Sequence, residues 1–121
     1  MSCSYKYFSQ SDFDSCIPPC NMGEMNQYTL LKLDMAREIS GIPFIINSAY
    51  RAIDHELIKG RDGTSSHTKG VAVDIKAIGS HQRFLIVSAL LEVGFTRIGI
   101  HERFIHADDD PNKDQQVIWF Y

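Results

Sequence analysis

The chain has 121 residues, 44% of them apolar and 22% charged, with a net charge of -3 and an isoelectric point near 5.9. That length suits one domain around one core, and those proportions suit a soluble globular protein without a membrane span, which needs roughly 18 to 20 consecutive apolar residues. The acidic balance, with no Lys/Arg cluster, argues against a nucleic-acid binder, because neutralising phosphates calls for a basic face.

The opening MSCSYKYFSQSDFD lacks the basic and apolar regions of a secretory signal, which predicts a chain that is cytoplasmic as synthesised. Cys3, Cys16 and Cys20 are odd in number and form no regular framework, so they read as reduced thiols. A metal pair at Cys16 and Cys20 would need a second Cys/His pair at zinc-finger distance, and none follows. Residues 1–24 carry turn formers such as Pro18, Pro19 and Gly23 and no sustained period, which predicts an irregular arm.

Residues 26–40 have a helical pattern: Asn26 caps, Leu31, Met35 and Ile39 recur four apart as the expected inward stripe, and Gly41 supplies a left-handed stop. Residues 43–48 are short, apolar and β-branched, a buried strand that runs into Ala49, Tyr50 and Arg51. Residues 52–66 have no readable pattern and end in a glycine-containing polar loop that delivers His67. The next strand, residues 71–75, puts Val71, Val73 and Ile75 on one face and Ala72 and Asp74 on the other. Ser80 is the expected cap of a second helix that runs to Val93, with Phe84, Val87 and Leu91 inward and Gly94 at its end.

Strands at residues 96–100, 104–107 and 116–121 complete the chain, the last two separated by a charged turn at 108–113. In Trp119, Phe120 and Tyr121 the expected role is strand core rather than a sugar-stacking platform. This order predicts an α+β domain with helices packed on a small, mostly antiparallel sheet.

Catalytic zinc prefers three protein ligands, drawn from imidazole, thiolate and carboxylate, and keeps one position open for water. His67 and Asp74, six residues apart, bracket a glycine turn that folds a loop histidine back over a strand carboxylate. On a later strand Phe104, His106 and Asp108 share a face by the two-residue period, so His106 offers a third ligand. By spacing alone this set competes with ordinary hydrogen-bonded core histidines.

The string SSHTKGVAVDI at residues 65–75 resembles the S-x-H-x-x-G-x-A-x-D-[IL] segment of the D-alanyl-D-alanine zinc carboxypeptidases and dipeptidases, relatives of hedgehog and of lysostaphin-type peptidases. NSAYR at 47–51 is similar to their S-G-Y-R turn. GIHERFIHAD at 99–108 is similar to their G-I-x-x-x-[FW]-[IV]-H-x-D end, as found in a short subgroup. The resemblance implies the fold of that family, one zinc ion on His67, Asp74 and His106, and hydrolysis of an amide bond in a peptidoglycan peptide. Either a D-Ala carboxypeptidase or a wall endopeptidase would fit, acting as a monomer on a stem peptide or another D-Ala-terminated peptide. A chain without a signal would then meet the wall through lysis or on a phage particle, or act in the cytoplasm in wall recycling.

Many family members carry Glu or Asp three residues before the last histidine ligand. Here that position holds Arg103, which cannot take a proton from water. The nearest acids are Glu102 and Asp108; Asp108 fits equally a general base and a carboxylate that orients a ligand histidine. Arg51 is a candidate for binding a substrate carboxylate or stabilising an oxyanion. Ser65 is either a substrate contact or a loop hydroxyl, and His101 either a proton donor or substrate contact, or a half-exposed strand residue. His55 and His81 are expected at the surface. The alternative to an enzyme is a non-catalytic zinc domain that binds wall peptide or a protein partner.

Overall fold

The computed structural model describes residues 5–121, so Cys3 lies outside the described residues. Its centre is a five-stranded sheet of β1 (Ile46–Ser48), β2 (Ala72–Lys76), β3 (Arg97–Ile100), β4 (Phe104–Asp108) and β5 (Val117–Phe120), in the order β1-β2-β4-β3-β5. All pairs are antiparallel except β3 with β5, which is parallel. The α+β expectation therefore holds. No helix among the described residues is long and apolar enough to cross a membrane.

The two-residue period of the strands decides what faces what. Val73 and Ile75 of β2, Ile105 and Ala107 of β4 and Ile98 of β3 are all fully buried on the core face. They meet helices α2 (Gln27–Ser40) and α4 (Ser80–Glu92), which also pack against each other. The intervening strand residues share the opposite face. Register there places Ser48, Asp74, His106, Gly99 and Trp119 in one row across all five strands.

In α2, Asn26 caps with its side chain as expected and Gly41 takes the left-handed conformation, but the inward stripe differs from the expected one. Leu31, Met35 and Ile39 are 38%, 56% and 46% exposed, while Leu30, Leu33 and Ala36 are buried. In α4, likewise, Phe84 and Leu91 face solvent and Ile86, Ala89 and Leu90 are buried. Both helices carry apolar residues on two stripes. The buried one in each includes an alanine, and helix separation is set by the size of the side chains in contact. Gly79, not Ser80, holds the cap position of α4, and no side chain caps it.

Three further elements depart from expectation. The N-terminal arm contains α1 (Gln10–Asp14), started where Ser9 N donates to the Asp12 carboxylate at 2.9 Å, and Phe8, Phe13 and Cys16 from this arm enter the core. Five residues are too few for a hydrophobic period to register. Helix α3 (Ile53–Ile58) lies in the stretch that had no readable pattern, because Ile53, Leu57 and Ile58 face outward and the residue it buries is Glu56. Finally, β5 is an edge strand, so Ile118, Phe120 and Tyr121 are exposed rather than core, and Trp119 is half-buried on the row that carries Asp74 and His106.

Candidate metal centre

His67 stands on a short 3-10 turn, Ser66–Lys69, in which the Ser65 hydroxyl accepts from His67 N at 3.2 Å. The turn ends at Gly70 with φ +71, and a Cβ there would lie 2.3 Å from the Glu24 carbonyl oxygen, so only glycine fits this close approach. Asn26 N donates to Gly70 O at 2.8 Å and ties the turn to the start of α2. His67 is thereby folded over β2, where Asp74 sits directly opposite His106 of β4. Ligand atoms of His67, Asp74 and His106 all lie within 4.8 Å of one another.

Hydrogen bonding fixes which ring nitrogen of each histidine turns inward. His67 Nδ1 is 2.7 Å from the Ala49 carbonyl, which can only accept, so Nδ1 carries the proton and the Nε2 lone pair faces Asp74 Oδ1 at 3.4 Å. His106 is oriented the other way. Its Nε2 donates to Asp108 Oδ2 at 2.7 Å, and its Nδ1 lies 2.9 Å from Asp74 Oδ1. The edge of a zinc tetrahedron with nitrogen and oxygen ligands is about 3.3 Å, so these separations suit such an ion with little movement. Two imidazoles and one carboxylate also match the donor preference of catalytic zinc, with a fourth position left for water.

The charges agree with this arrangement. Burial pushes the Asp74 carboxyl up, but its contacts with the His106 and His67 rings outweigh it and hold the group ionised, well below the usual carboxylate range. For His106, burial lowers the pKa and the bonds to Asp108 and Asp74 more than reverse it, so the net shift is upward. Asp108 is 1% exposed and fully engaged: besides His106, it accepts from Arg97 Nε at 2.7 Å and from Asp110 N at 3.0 Å.

Two more buried acids brace the centre. Asp110 accepts from Ser66 Oγ at 2.8 Å and Lys69 Nζ at 2.9 Å, which locks the turn bearing His67 to the chain leaving β4. Glu56 of α3 is completely buried and takes Arg51 Nη1 at 2.9 Å and Arg61 Nη1 at 2.6 Å on its two oxygens. Arg51 also donates from Nε to Ser48 Oγ at 3.0 Å and brings Nη2 within 3.6 Å of Asp74 Oδ2. Among the described residues, no buried side-chain nitrogen or oxygen is left without a partner.

Of the residues singled out from sequence, the structure brings together His67, Asp74, His106, Asp108 and Arg51, with Ser65 as the hydroxyl that pins the His67 turn. Glu102 is not among them: it lies in the β3–β4 turn, its side chain 79% exposed and near only its neighbour Arg103, at 3.8 Å. His101 accepts from Arg103 N at 3.1 Å and stacks on Phe104, ring centres 4.5 Å apart. Cys16 is buried with its thiol directed at the Asp12 and Ile46 carbonyls, and both described cysteines are free thiols.

Sequence reasoning missed Trp119, Arg97, Glu56 and Asp110. Trp119 packs 5.4 Å from His106 and covers Gly99, where a Cβ would meet the indole at 2.7 Å. Arg97 crosses the same ring at 5.1 Å while it holds Asp108. The glycine of the matched Gly99-Ile100 motif was the one available signal, since a glycine inside a strand marks a close approach. His55, expected merely at the surface, is half-buried in the wall of a cavity beside Asp74.

An α+β sheet that presents a His/Asp/His cluster, each histidine oriented by a second hydrogen bond, defines a metal-centre domain of the catalytic type. The peptidase M15 family model matches residues 6–108. The chain belongs to that family, whose members are zinc-dependent peptidases. A search of curated proteins gave no match.

Proposed function

We propose that the chain is a zinc metallopeptidase that hydrolyses an amide bond in peptidoglycan peptides, as a D-Ala carboxypeptidase or a wall endopeptidase, with one zinc ion on His67, Asp74 and His106. The observation that carries this is the inward-facing triplet Nε2, carboxylate and Nδ1, held by Ala49 and Asp108 from behind. Zinc bound there supplies a Lewis acid and a water activated near neutral pH.

Arg51 is the substrate group in this scheme. Its Nε and Nη1 hold Ser48 and Glu56, and Nη2 marks the edge nearest Asp74, 3.6 Å from Oδ2, in a residue that lines the cavity there. That edge suits a substrate carboxylate or the oxyanion of the tetrahedral intermediate. Glu56 and Ser48 keep the group in place. Asp108 acts through His106, by holding its Nε2 proton and leaving Nδ1 as the metal-facing lone pair.

A second function, a zinc domain that binds wall peptide without cutting it, is favoured by one observation. Every carboxylate bordering the cluster is committed: Asp74 to both histidines, Asp108 to Arg97 and His106, and Glu56 to two arginines. The two functions separate on a digest of purified peptidoglycan followed by mass analysis of the released fragments. The enzyme gives new peptide termini that vanish on chelation and return with added zinc. Fragments that persist after complete chelation refute the metal mechanism, and zinc-loaded protein that releases none supports the binder.

A further inference from the structure

The segment IDHELIKGR, residues 53–61, puts His55 within α3 and Lys59 at its C-cap, four apart and so on one side, with Arg61 two residues further on. Together with Arg51 they line a cavity of about 560 Å³ that opens beside Asp74, with Ile17, Pro18 and Phe104 among its apolar walls. Among the described residues Asp74 is the cavity's only acidic lining residue, and its Oδ1 is turned to His67 and His106 and its Oδ2 to Arg51. The charge of Glu56 below is shared by Arg51 and Arg61. Lys59 has no carboxylate partner among the described residues, and an ion in the metal centre would add further positive charge.

A cationic cleft in a chain whose net charge is -3 is a local arrangement and not a reflection of composition. We propose that it selects acidic peptides: Arg51 faces one carboxylate of the bound peptide, and Lys59 and Arg61 face a second, free carboxylate further along it. This selectivity rests on the wall-peptide function proposed above and narrows it to stem peptides whose glutamate or diacid residue is left unamidated. Apolar Ile17 and Phe104 give the peptide backbone a surface to lie on, while uncharged peptides gain nothing from the α3 side.

The test uses two synthetic pentapeptides, L-Ala-γ-D-Glu-L-Lys-D-Ala-D-Ala with a free glutamate α-carboxyl and its twin with that group as carboxamide. Their Kd values for the zinc-loaded full chain are measured by calorimetry, and product release is followed separately by mass analysis. An exposed charge contact of this kind should make the acidic peptide bind roughly 1.5- to fivefold more tightly than its twin. Lys59→Glu, at an exposed position, should bring that ratio to one or below and Lys59→Gln should reduce it. Equal Kd values in the native protein, or a ratio unmoved by Lys59→Glu, overturn the selectivity. Absence of product from both peptides overturns hydrolysis alone and leaves the binding ratio as the readout for the cleft.

Discussion

Replacing Asp108 by Asn tests how the metal centre is oriented, because the change keeps the shape and removes one acceptor. Three donors converge on the carboxylate: Arg97 Nε and Asp110 N on Oδ1, and His106 Nε2 on Oδ2. An asparagine has a single acceptor oxygen, and the two bonds on the Oδ1 side hold it there. Its NH2 then faces His106 Nε2, donor against donor, in a site where Asp108 is 1% exposed and water cannot intervene. The conflict is relieved when His106 moves its proton to Nδ1, the nitrogen that faces Asp74 and the metal. Losing the carboxylate behind a ligand histidine typically costs 10- to 100-fold in metal affinity, or about 1.4 to 2.7 kcal/mol.

Zinc affinity can be read by competition with a chromophoric chelator. The single tryptophan, Trp119, 5.4 Å from the His106 ring, gives a second readout through quenching by Cu²⁺. Asp108→Ala should go further, since it strands two buried donors, one of them the Arg97 guanidinium, and should destabilise the fold by about 3 to 5 kcal/mol in urea unfolding. If Asp108→Asn bound zinc as tightly as the native chain and lost only hydrolysis, the tautomer argument would be refuted. Asp108 would then act on the substrate water.

Asp110 supplies a pH-dependent brace. Burial raises its pKa, but the bonds from Lys69 and Ser66 prevail and bring it to about 2, so its contribution is present above pH about 4 and is lost as the pH falls through about 2. The stability gap between the native chain and Asp110→Asn in urea should therefore be widest near pH 6 and close towards pH 2; a gap that stays constant would rule this out. Gly99→Ala places a methyl 2.7 Å from the Trp119 indole, so the ring must shift at a cost of about 1 to 3 kcal/mol. Its expected signature is a change in tryptophan emission together with weaker Cu²⁺ quenching, and an unaltered spectrum would show that the ring does not depend on Gly99.

What could be read from the sequence followed from periodicity and from chemistry at fixed spacing. A period of two placed Asp74 and His106 on one face of their strands, a glycine turn brought His67 over them, and Asn26 and Gly41 marked the ends of α2. The inward stripes of α2 and α4 were not legible, because both helices carry two apolar stripes and only packing against a neighbour chooses between them. Helix α3 was hidden for a related reason. Its buried residue is Glu56, and a pattern of hydrophobicity cannot register a helix anchored by a charge that is neutralised by Arg51 and Arg61.

The ligands and their supports therefore differ in kind. A metal ligand must be a particular residue type at a particular step along a turn or strand, so its identity shows locally. A supporting pair needs only complementary charge across whatever distance the fold closes: Ser66 with Asp110 spans 44 residues, and Lys32 with Asp109 spans 77. Neither partner of such a pair is distinctive alone. In this domain those pairs hold the His67 turn and helix α2 to the chain leaving β4, and the spacing of the three ligand atoms depends on that relation. Variation among such domains in metal affinity should accordingly track the buried pairs at Asp108 and Asp110 as closely as the ligands themselves.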